Sequence, residues 1–280
     1  MHVIPVRRSQ PEKRAVRLSL KPTVRRPAPT NSTTLPGTVR IAEIDIAAGS
    51  TDEAIRRIIL AAQQSSSAAF HFINAYTISL ASSDPDLKQV LNDGTAAFPD
   101  GRPLSWFARI KAPAAQQVRG PSTFEGVFQR GQEHGVKHFL LGSTPETLDK
   151  LVTGLRLRYP TADIVGAHSP PYRPLTDAEL SEQDELIRTS GANIVWVGLG
   201  TPKQDFETHR IAEHLGMAAA AVGAAFDFSA GTKREAPAWI TPLGLEWLFR
   251  LLMEPRRLWK RYLFGNPIFL KEVLVHWSND

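Results

Sequence analysis

The sequence predicts an α/β fold in which helices cover both faces of a parallel, Rossmann-like sheet. Short apolar, β-branched or aromatic runs end in Gly, Asn or Asp, and amphipathic stretches of helical length separate them. This alternation is typical of parallel strands joined by crossover helices. The predicted strands lie at 69–73, 96–98, 138–141, 163–165, 193–197 and 218–222.

Capping sequences mark where the helices between these strands begin. The segment Ser50–Glu53 has the spacing of a capping box and opens a helix that extends to about Gln64. Further helices are predicted to begin near Ser83, Ser143 and Thr176, because each is followed by acidic residues common in first helical turns, and the first two also by a proline.

Composition divides the 280 residues into three parts. Residues 1–38 are basic and rich in Pro, Ser and Thr, so they are predicted to form a disordered arm. No apolar stretch follows their basic residues, so we expect no secretory signal. Residues 39–240 form the predicted α/β core, and 241–280 a C-terminal helical appendage. The net charge of +5 favours anionic partners, and the absence of cysteine excludes disulfides and thiolate metal sites.

The appendage interleaves aromatic and basic residues from Gly244 to Trp277. Aromatic rings favour the headgroup level of a bilayer, and arginines favour anionic lipid or phosphate. Charges recur too often for a membrane span. The segment is therefore predicted to lie on a membrane or to hold a phosphorylated lipid. The alternative is a pair of amphipathic helices that pack on the domain and leave their arginines in solvent.

Ligands of parallel sheets bind beyond the carboxyl ends of the strands. In this sequence the residues at those ends are Asn74, Asp100, Gly142, Gly166, Gly198 and Gly223. The turns at Gly142–Ser143 and Gly200–Lys203 each precede a helix, whose free N–H groups and dipole suit a phosphate. The alternative is that these glycines only make turns.

Motifs for other ligands are incomplete. The segment Gly198–Lys203 is the nearest match to a dinucleotide-binding loop, but it lacks the third glycine. A P-loop is absent from the sequence. His209 and His214 are five residues apart and point to different helix faces, which makes them weak metal candidates. No metal site and no cofactor are therefore predicted.

Two polar residues at this edge are candidates for chemistry. Asp100 follows a strand and is either a general base or a turn or cap residue, which an Asp-Gly pair favours. Gln204 lies in the first turn of a helix and is either a donor to a ligand or a solvated side chain.

Five ordered motifs resemble the WecG/TagA/CpsF family of bacterial glycosyltransferases over roughly residues 40–275. They are Asn74–Ala75, Phe98–Gly101, Val197–Gln204, Gly223–Phe228 and Gly244–Leu251. The resemblance implies transfer of a sugar, with inversion, from a UDP-sugar to a polyprenyl-diphosphate-linked acceptor in cell-surface polysaccharide synthesis. It also implies a site without a metal.

The resemblance also assigns roles to residues. Asp100 corresponds to the catalytic base and Gln204 to the polar residue beside it, while Tyr172 falls where a ring stacks on uracil. The other implied substrate-binding residues are Asn74, Gly101, Gly142, Ser143, Gly166, Gly198, Gly200, Lys203, Gly223 and Asp227 around the donor, and Arg250, Arg256, Arg257 and Arg261 at the lipid diphosphate.

Two positions depart from the family pattern. Phe72 stands where one branch has a catalytic Thr, and Glu235 stands where many relatives have Arg. The donor sugar therefore stays open among N-acetylmannosamine, its uronic acid and glucose.

The expected location is the cytoplasm, peripherally on the inner face of the plasma membrane, without a nucleic-acid partner and with homo-oligomerisation left open. Two other classes stay open as alternatives. One is a nucleotide-binding oxidoreductase, and the other is a non-catalytic membrane-surface adaptor of polysaccharide assembly.

Overall fold

A computed structural model describes residues 37–237, 239–240 and 244–277. The predicted basic arm lies outside the described residues, apart from its last two positions. The strands are β1 (Thr38–Ile41), β2 (Ile44–Ala47), β3 (Ala68–Ile73), β4 (Ala96–Pro99), β5 (Lys137–Gly142), β6 (Asp163–His168), β7 (Ile194–Gly198) and β8 (Ala218–Ala221). The helices are α1 (Thr51–Gln63), α2 (Ala75–Ala81), α3 (Pro85–Asp93), α4 (Arg102–Lys111), α5 (Gly120–Gly131), α6 (Pro145–Arg158), α7 (Asp177–Thr189), α8 (Lys203–Arg210), α9 (Ala225–Ser229), α10 (Glu246–Met253) and α11 (Pro255–His276).

The strands of this part of the chain form one eight-stranded sheet in the order β1-β2-β4-β3-β8-β7-β5-β6. All neighbours pair in parallel except β1 and β2, which form an antiparallel hairpin. The predicted α/β fold with a parallel sheet is confirmed. The hairpin was not predicted, because its turn residues Ala42 and Glu43 adopt φ values of 49° and 64° without the Asn or Gly that usually signals such a turn.

Helix caps follow the predicted chemistry, with small shifts. Ser50 Oγ accepts from the N–H of Glu53, and Thr176 forms a full capping box with Glu179. The caps of α3 and α6 are Asp84 and Thr144, one residue after the predicted starts at Ser83 and Ser143. A proline takes the first position of each helix, so the residue before it becomes the cap.

Helices cover both faces of the sheet. On one face, α1, α5, α6 and α9 pack over strand side chains such as Phe70 and the fully buried Trp196. On the other face, α2, α3, α4, α8 and α11 pack over Ile73 and Ala97, and α7 packs over Val195. Successive strand residues point to opposite faces, so the central strands are mostly apolar on both faces, with the buried His71 of β3 and His138 of β5 as exceptions.

The helices that follow the neighbouring strands β5 and β7 lie on opposite faces of the sheet. Helix α6 follows β5 on the face of Trp196, whereas α8 follows β7 on the face of Ile73. A crevice opens above a sheet where connections diverge in this way. Gly142 and Gly198 end the two strands side by side, and a Cβ on Gly142 would lie 2.6 Å from the Gly198 carbonyl oxygen.

The C-terminal segment is helical, as predicted, and α11 packs along α2. It buries Leu258, Phe269 and Val273, and the last two join the hydrophobic core beside Ile78. A Cβ on Gly265 would lie 3.2 Å from Ser79 Oγ, so the two helices approach closely there. Within the described residues, no helix has the length and apolar character to cross a membrane.

Candidate functional site

Asp100 stands directly beyond the carboxyl end of β4, where the sequence predicted a ligand site. Its N–H donates to the Ile73 carbonyl at 2.8 Å, which ties the ends of β3 and β4 together. Its Oδ1 accepts from the N–H of Gly120 at 2.8 Å. The following helix α4 has no side-chain cap, so Asp100 is not the local cap that an Asp-Gly pair suggests. The carboxylate instead holds the first residue of α5.

Three guanidinium groups lie close enough to this carboxylate to influence its ionisation. Burial raises the pKa of Asp100, while the Gly120 N–H and the charges of Arg119, Arg250 and Arg261 oppose that rise. The arginines come from different places in the sequence: Arg119 precedes α5, Arg250 lies on α10 and Arg261 lies on α11. A half-buried carboxyl group with a raised pKa and three nearby cations is typical of functional sites.

Arg261 reaches this edge of the sheet from α11. One terminal nitrogen donates to Asn74 Oδ1 at 3.0 Å, and the guanidinium lies 4.4 Å from the ring centre of Tyr76. Burial lowers the pKa of Arg261. Its Nε is buried and has no hydrogen-bond partner among the described residues. Arg261 is therefore a desolvated cation at the mouth of the site.

Asn74 also caps α2, accepting from the N–H of Tyr76 at 3.0 Å and of Thr77 at 3.4 Å. A Cβ on Gly101 would lie 3.0 Å from Asn74 Cβ. Asn74 and Gly101 are thus neighbours of Asp100 at the ends of β3 and β4.

Arg119 is a functional candidate that the sequence interpretation missed. It forms ion pairs with Glu235 and, at 3.3 Å, with Glu246 at the start of α10. Its positive charge also lowers the pKa of Asp100, against the effect of burial. The only local signal was its position before the N-terminus of α5, and nothing in the sequence placed it near Asp100 or Glu235.

Gln204 joins the ends of β7 and β8. Its side chain is buried, so the solvated alternative is wrong. Its Oε1 accepts from the N–H of Gly200 at 3.1 Å. A Cβ on Gly223, whose φ is 54°, would lie 3.2 Å from the same oxygen. Gln204 therefore sets the positions of two glycine turns that were predicted to bind the donor.

The loops after β5, β6 and β7 meet at the predicted crevice. Ser143 donates its N–H to the Gly198 carbonyl at 3.2 Å, and Ser169 Oγ donates to the Ser143 carbonyl at 2.7 Å. Tyr172 is 96% exposed, and Lys203 Nζ lies 4.9 Å from the centre of its ring. An exposed ring and a cation therefore stand beside a pair of glycine turns.

Four of the predicted residues have other surroundings than expected. Gly166 lies inside β6, not at its end, and a Cβ there would lie 2.5 Å from the Phe139 ring. Asp227 is paired with Lys233 Nζ at 2.8 Å. Arg256 and Arg257 are exposed in the first turn of α11, and Arg257 donates to Glu254 at 2.6 Å.

A buried His–Asp pair lies behind the site. His71 Nδ1 and Asp205 Oδ1 are 3.2 Å apart, and both side chains are at most 1% exposed. The pair joins the middle of β3 to α8 directly after Gln204, so it anchors the helix that carries Gln204. His71 stands between the core residues Phe70 and Phe72 in β3, so the sequence pattern indicated only a buried strand and not a polar pair. The described residues contain no group of three or more His, Cys, Asp or Glu able to hold a metal ion.

A known protein family matches the sequence over nearly all of the described fold. The model of the Glycosyl transferase WecG/TagA/CpsF family matches residues 39–280. The match spans the sheet, the Asp100 edge and the C-terminal helices that carry Arg250 and Arg261. The chain therefore belongs to the WecG/TagA/CpsF family of glycosyl transferases.

Proposed function

We propose that this protein is an inverting glycosyltransferase that moves a sugar from a UDP-sugar to a polyprenyl-diphosphate-linked acceptor in cell-surface polysaccharide synthesis. The observation that carries the proposal is the Asp100 carboxylate at the sheet edge among Arg119, Arg250 and Arg261. A base beside several fixed cations suits a reaction in which a hydroxyl loses its proton and a diphosphate leaves.

The donor nucleotide occupies the crevice between β5 and β7. The diphosphate lies at the turns after Gly142 and Gly198, next to the N-termini of α6 and α8, and Lys203 supplies a positive charge. Tyr172 stacks on the uracil ring. The sugar then extends along the ends of β8 and β3 towards Asp100, because these strands lie between β7 and β4 in the sheet. N-acetylmannosamine, its uronic acid and glucose are the candidate sugars.

The chemical step is a single displacement. The acceptor hydroxyl oxygen forms a bond to C1 of the donor sugar as the bond between C1 and the UDP oxygen breaks. UDP leaves with that electron pair, and the hydroxyl proton passes to Asp100. Attack from the face opposite UDP inverts the anomeric centre. The raised pKa of Asp100 makes its carboxylate a stronger base than an ordinary aspartate.

The cations near Asp100 bind the diphosphates of the donor and the acceptor. Arg250 and Arg261 lie on the C-terminal helices and stabilise charge that develops on the leaving group or stands on the acceptor. Guanidinium pairs with phosphate through two hydrogen bonds, which also fixes its orientation. Arg256 and Arg257 are exposed in the first turn of α11, where they bind the diphosphate of the lipid.

The same helices hold the protein to the membrane surface. Trp259, Leu263 and Phe264 are each more than two-fifths exposed, and the rings of Trp259 and Phe264 lie 6.3 Å apart. Trp106 on α4, 52% exposed, adds an aromatic side chain outside the C-terminal segment. Exposed aromatic side chains among arginines favour the interface of an anionic bilayer. This arrangement supports the inner face of the cytoplasmic membrane as the working location.

The decisive experiment incubates the protein with each UDP-sugar and a soluble alkyl-diphosphate-linked monosaccharide. We expect UDP release that depends on the acceptor, and a product whose anomeric configuration is opposite to that of the donor. Retention of configuration contradicts the displacement described above. Binding of UDP-sugars without turnover on any acceptor favours the adaptor alternative. In a separate assay with a reduced nicotinamide cofactor, a change in cofactor absorbance on substrate addition favours the oxidoreductase.

A further inference from the structure

A cavity of about 420 Å³ lies beside α5, α6 and α9, on the face of the sheet that carries Trp196. Its lining includes Ser122 in the first turn of α5, Arg158 at the end of α6 and Phe228 on α9. This volume is within the range of small-ligand sites. None of its lining residues belongs to the donor crevice between β5 and β7.

The cavity has a rigid polar wall. Glu125 accepts hydrogen bonds from Arg158 at 2.9 Å, from Tyr159 and from Ser229. Burial and the Glu125 carboxylate raise the pKa of Tyr159 to about 12, so its hydroxyl remains a donor. Fixed side chains of this kind lose little conformational freedom when a ligand binds.

The chemistry of the lining fits a neutral polyhydroxylated ring. Glu125 supplies acceptor atoms and Arg158 supplies donors, which together match the alternating needs of sugar hydroxyls. The Phe228 ring offers an apolar surface to the C–H face of a pyranose. Glu235 also lines the cavity. The two carboxylates of the lining, Glu125 and Glu235, therefore balance the two positive charges of Arg119 and Arg158. This balance disfavours a bare phosphate as the ligand.

Two contacts connect the cavity with Asp100. Arg119 lines the cavity, and the next residue, Gly120, donates its N–H to Asp100 Oδ1 at 2.8 Å. Arg250 lies 5.7 Å from the ring centre of Phe228 and is one of the cations that act on Asp100. A ring bound in the cavity therefore contacts Arg119, whose neighbour Gly120 is hydrogen-bonded to the base, and a diphosphate attached to the ring meets Arg119 and Arg250.

We infer that this cavity is the binding site for the sugar ring of the acceptor, which it holds so that one hydroxyl faces Asp100. The inference rests on the proposed glycosyltransferase function. It assigns the acceptor sugar to residues of α5, α6 and α9, separate from the donor site on the loops after β5, β7 and β8.

The test fills the cavity from its exposed side. Ser122→Phe adds a ring at an exposed helix position, so folding should persist, which the thermal unfolding midpoint verifies. Gln129→Phe is the matched control, because Gln129 is exposed two turns further along α5 and outside the cavity. Phe228→Leu is a second variant, which removes the ring but keeps an apolar side chain.

The readouts are KM for the soluble alkyl-diphosphate monosaccharide and Kd for UDP. We expect both cavity variants to raise the acceptor KM by about tenfold or more, the usual scale for a lost subsite contact, while the Kd of UDP stays constant. The control should match the wild type. An unchanged acceptor KM in both cavity variants, or weakened UDP binding in either, overturns the inference while leaving the transferase function intact. If the wild type transfers sugar to no acceptor, the proposed function fails and the inference falls with it.

Discussion

The guanidinium of Arg261 donates to Asn74 Oδ1 at 3.0 Å across 187 positions of sequence. This contact brings α11 to the end of β3. The last residue of that strand, Ile73, accepts a hydrogen bond from the N–H of Asp100. The C-terminal segment therefore supplies a charged group to the sheet edge, while α11 also completes the core with Phe269 and Val273. Each role has its own experimental consequence.

Replacing Arg261 should impair catalysis more than binding of UDP. Arg261→Gln removes a desolvated charge near Asp100, and we expect turnover to fall by about 10²-fold, the scale of lost electrostatic stabilisation. Lys271→Gln is the control, since Lys271 is an exposed cation on the same helix. Steady-state kinetics and UDP titration measure both. Equal turnover in the two variants would show that Arg261 only packs.

Asp100→Asn should abolish the base while leaving the donor site in place. We expect turnover to fall by at least about 10²-fold with the Kd of UDP unchanged, because Asp100 is predicted to act in proton transfer and not in UDP binding. Asp149→Asn, at an exposed position on α6, controls for the loss of a carboxylate. Near-normal turnover of Asp100→Asn with the soluble acceptor contradicts its assignment as the base.

The pH dependence of kcat/KM should report the ionisation of Asp100. Activity requires the deprotonated carboxylate, so it falls as the pH drops through the pKa of Asp100, which burial raises above the ordinary value of 3.8. Arg250 lowers this pKa, so Arg250→Gln should move the acid limb to higher pH. A limb that stays in place or moves to lower pH in this variant, relative to Lys271→Gln, rules out Asp100 as the titrating group.

Gln204→Ala should weaken the donor site and the fold together. The substitution leaves the Gly200 N–H without its partner at 3.1 Å, which costs about 1–3 kcal/mol of unfolding free energy. The Kd of UDP should rise as the turns at Gly200 and Gly223 loosen, while the acid limb set by Asp100 stays constant. Gln116→Ala, at an exposed position, is the control. Denaturant titration and UDP binding test this, and tight UDP binding in Gln204→Ala contradicts the assignment.

Membrane association is best tested without truncation, because deleting α11 also removes Leu258, Phe269 and Val273 from the core. The double variant Trp259→Ser and Phe264→Ser removes only exposed rings. We expect weaker sedimentation with vesicles containing phosphatidylglycerol, and an effect of the same sign from high salt, since each basic residue contributes about 1 kcal/mol at an anionic surface. Unchanged vesicle binding in this variant excludes these rings from the interface.

Much of the fold was predictable because the signals are local. Apolar runs before Gly142 and Gly198 marked strand ends, and capping residues such as Ser50 and Thr176 marked helix starts, since both depend on neighbours within a few residues. The positions of Asn74, Asp100, Gly142, Gly198 and Gly223 after apolar runs also predicted that they lie at one edge of the sheet. These features follow from the sequence alone.

The composition of the site was decided only by the tertiary structure. The packing of strands and helices brings Arg119 and Arg261 to Asp100, buries Gln204 against Gly223 and pairs His71 with Asp205. It also places Gly166 within β6, against Phe139. Such contacts join residues that local spacing does not relate, because which strands are neighbours, and on which face each helix lies, depends on the burial of the whole core. The sequence determined what each segment becomes, and packing determined which side chains meet.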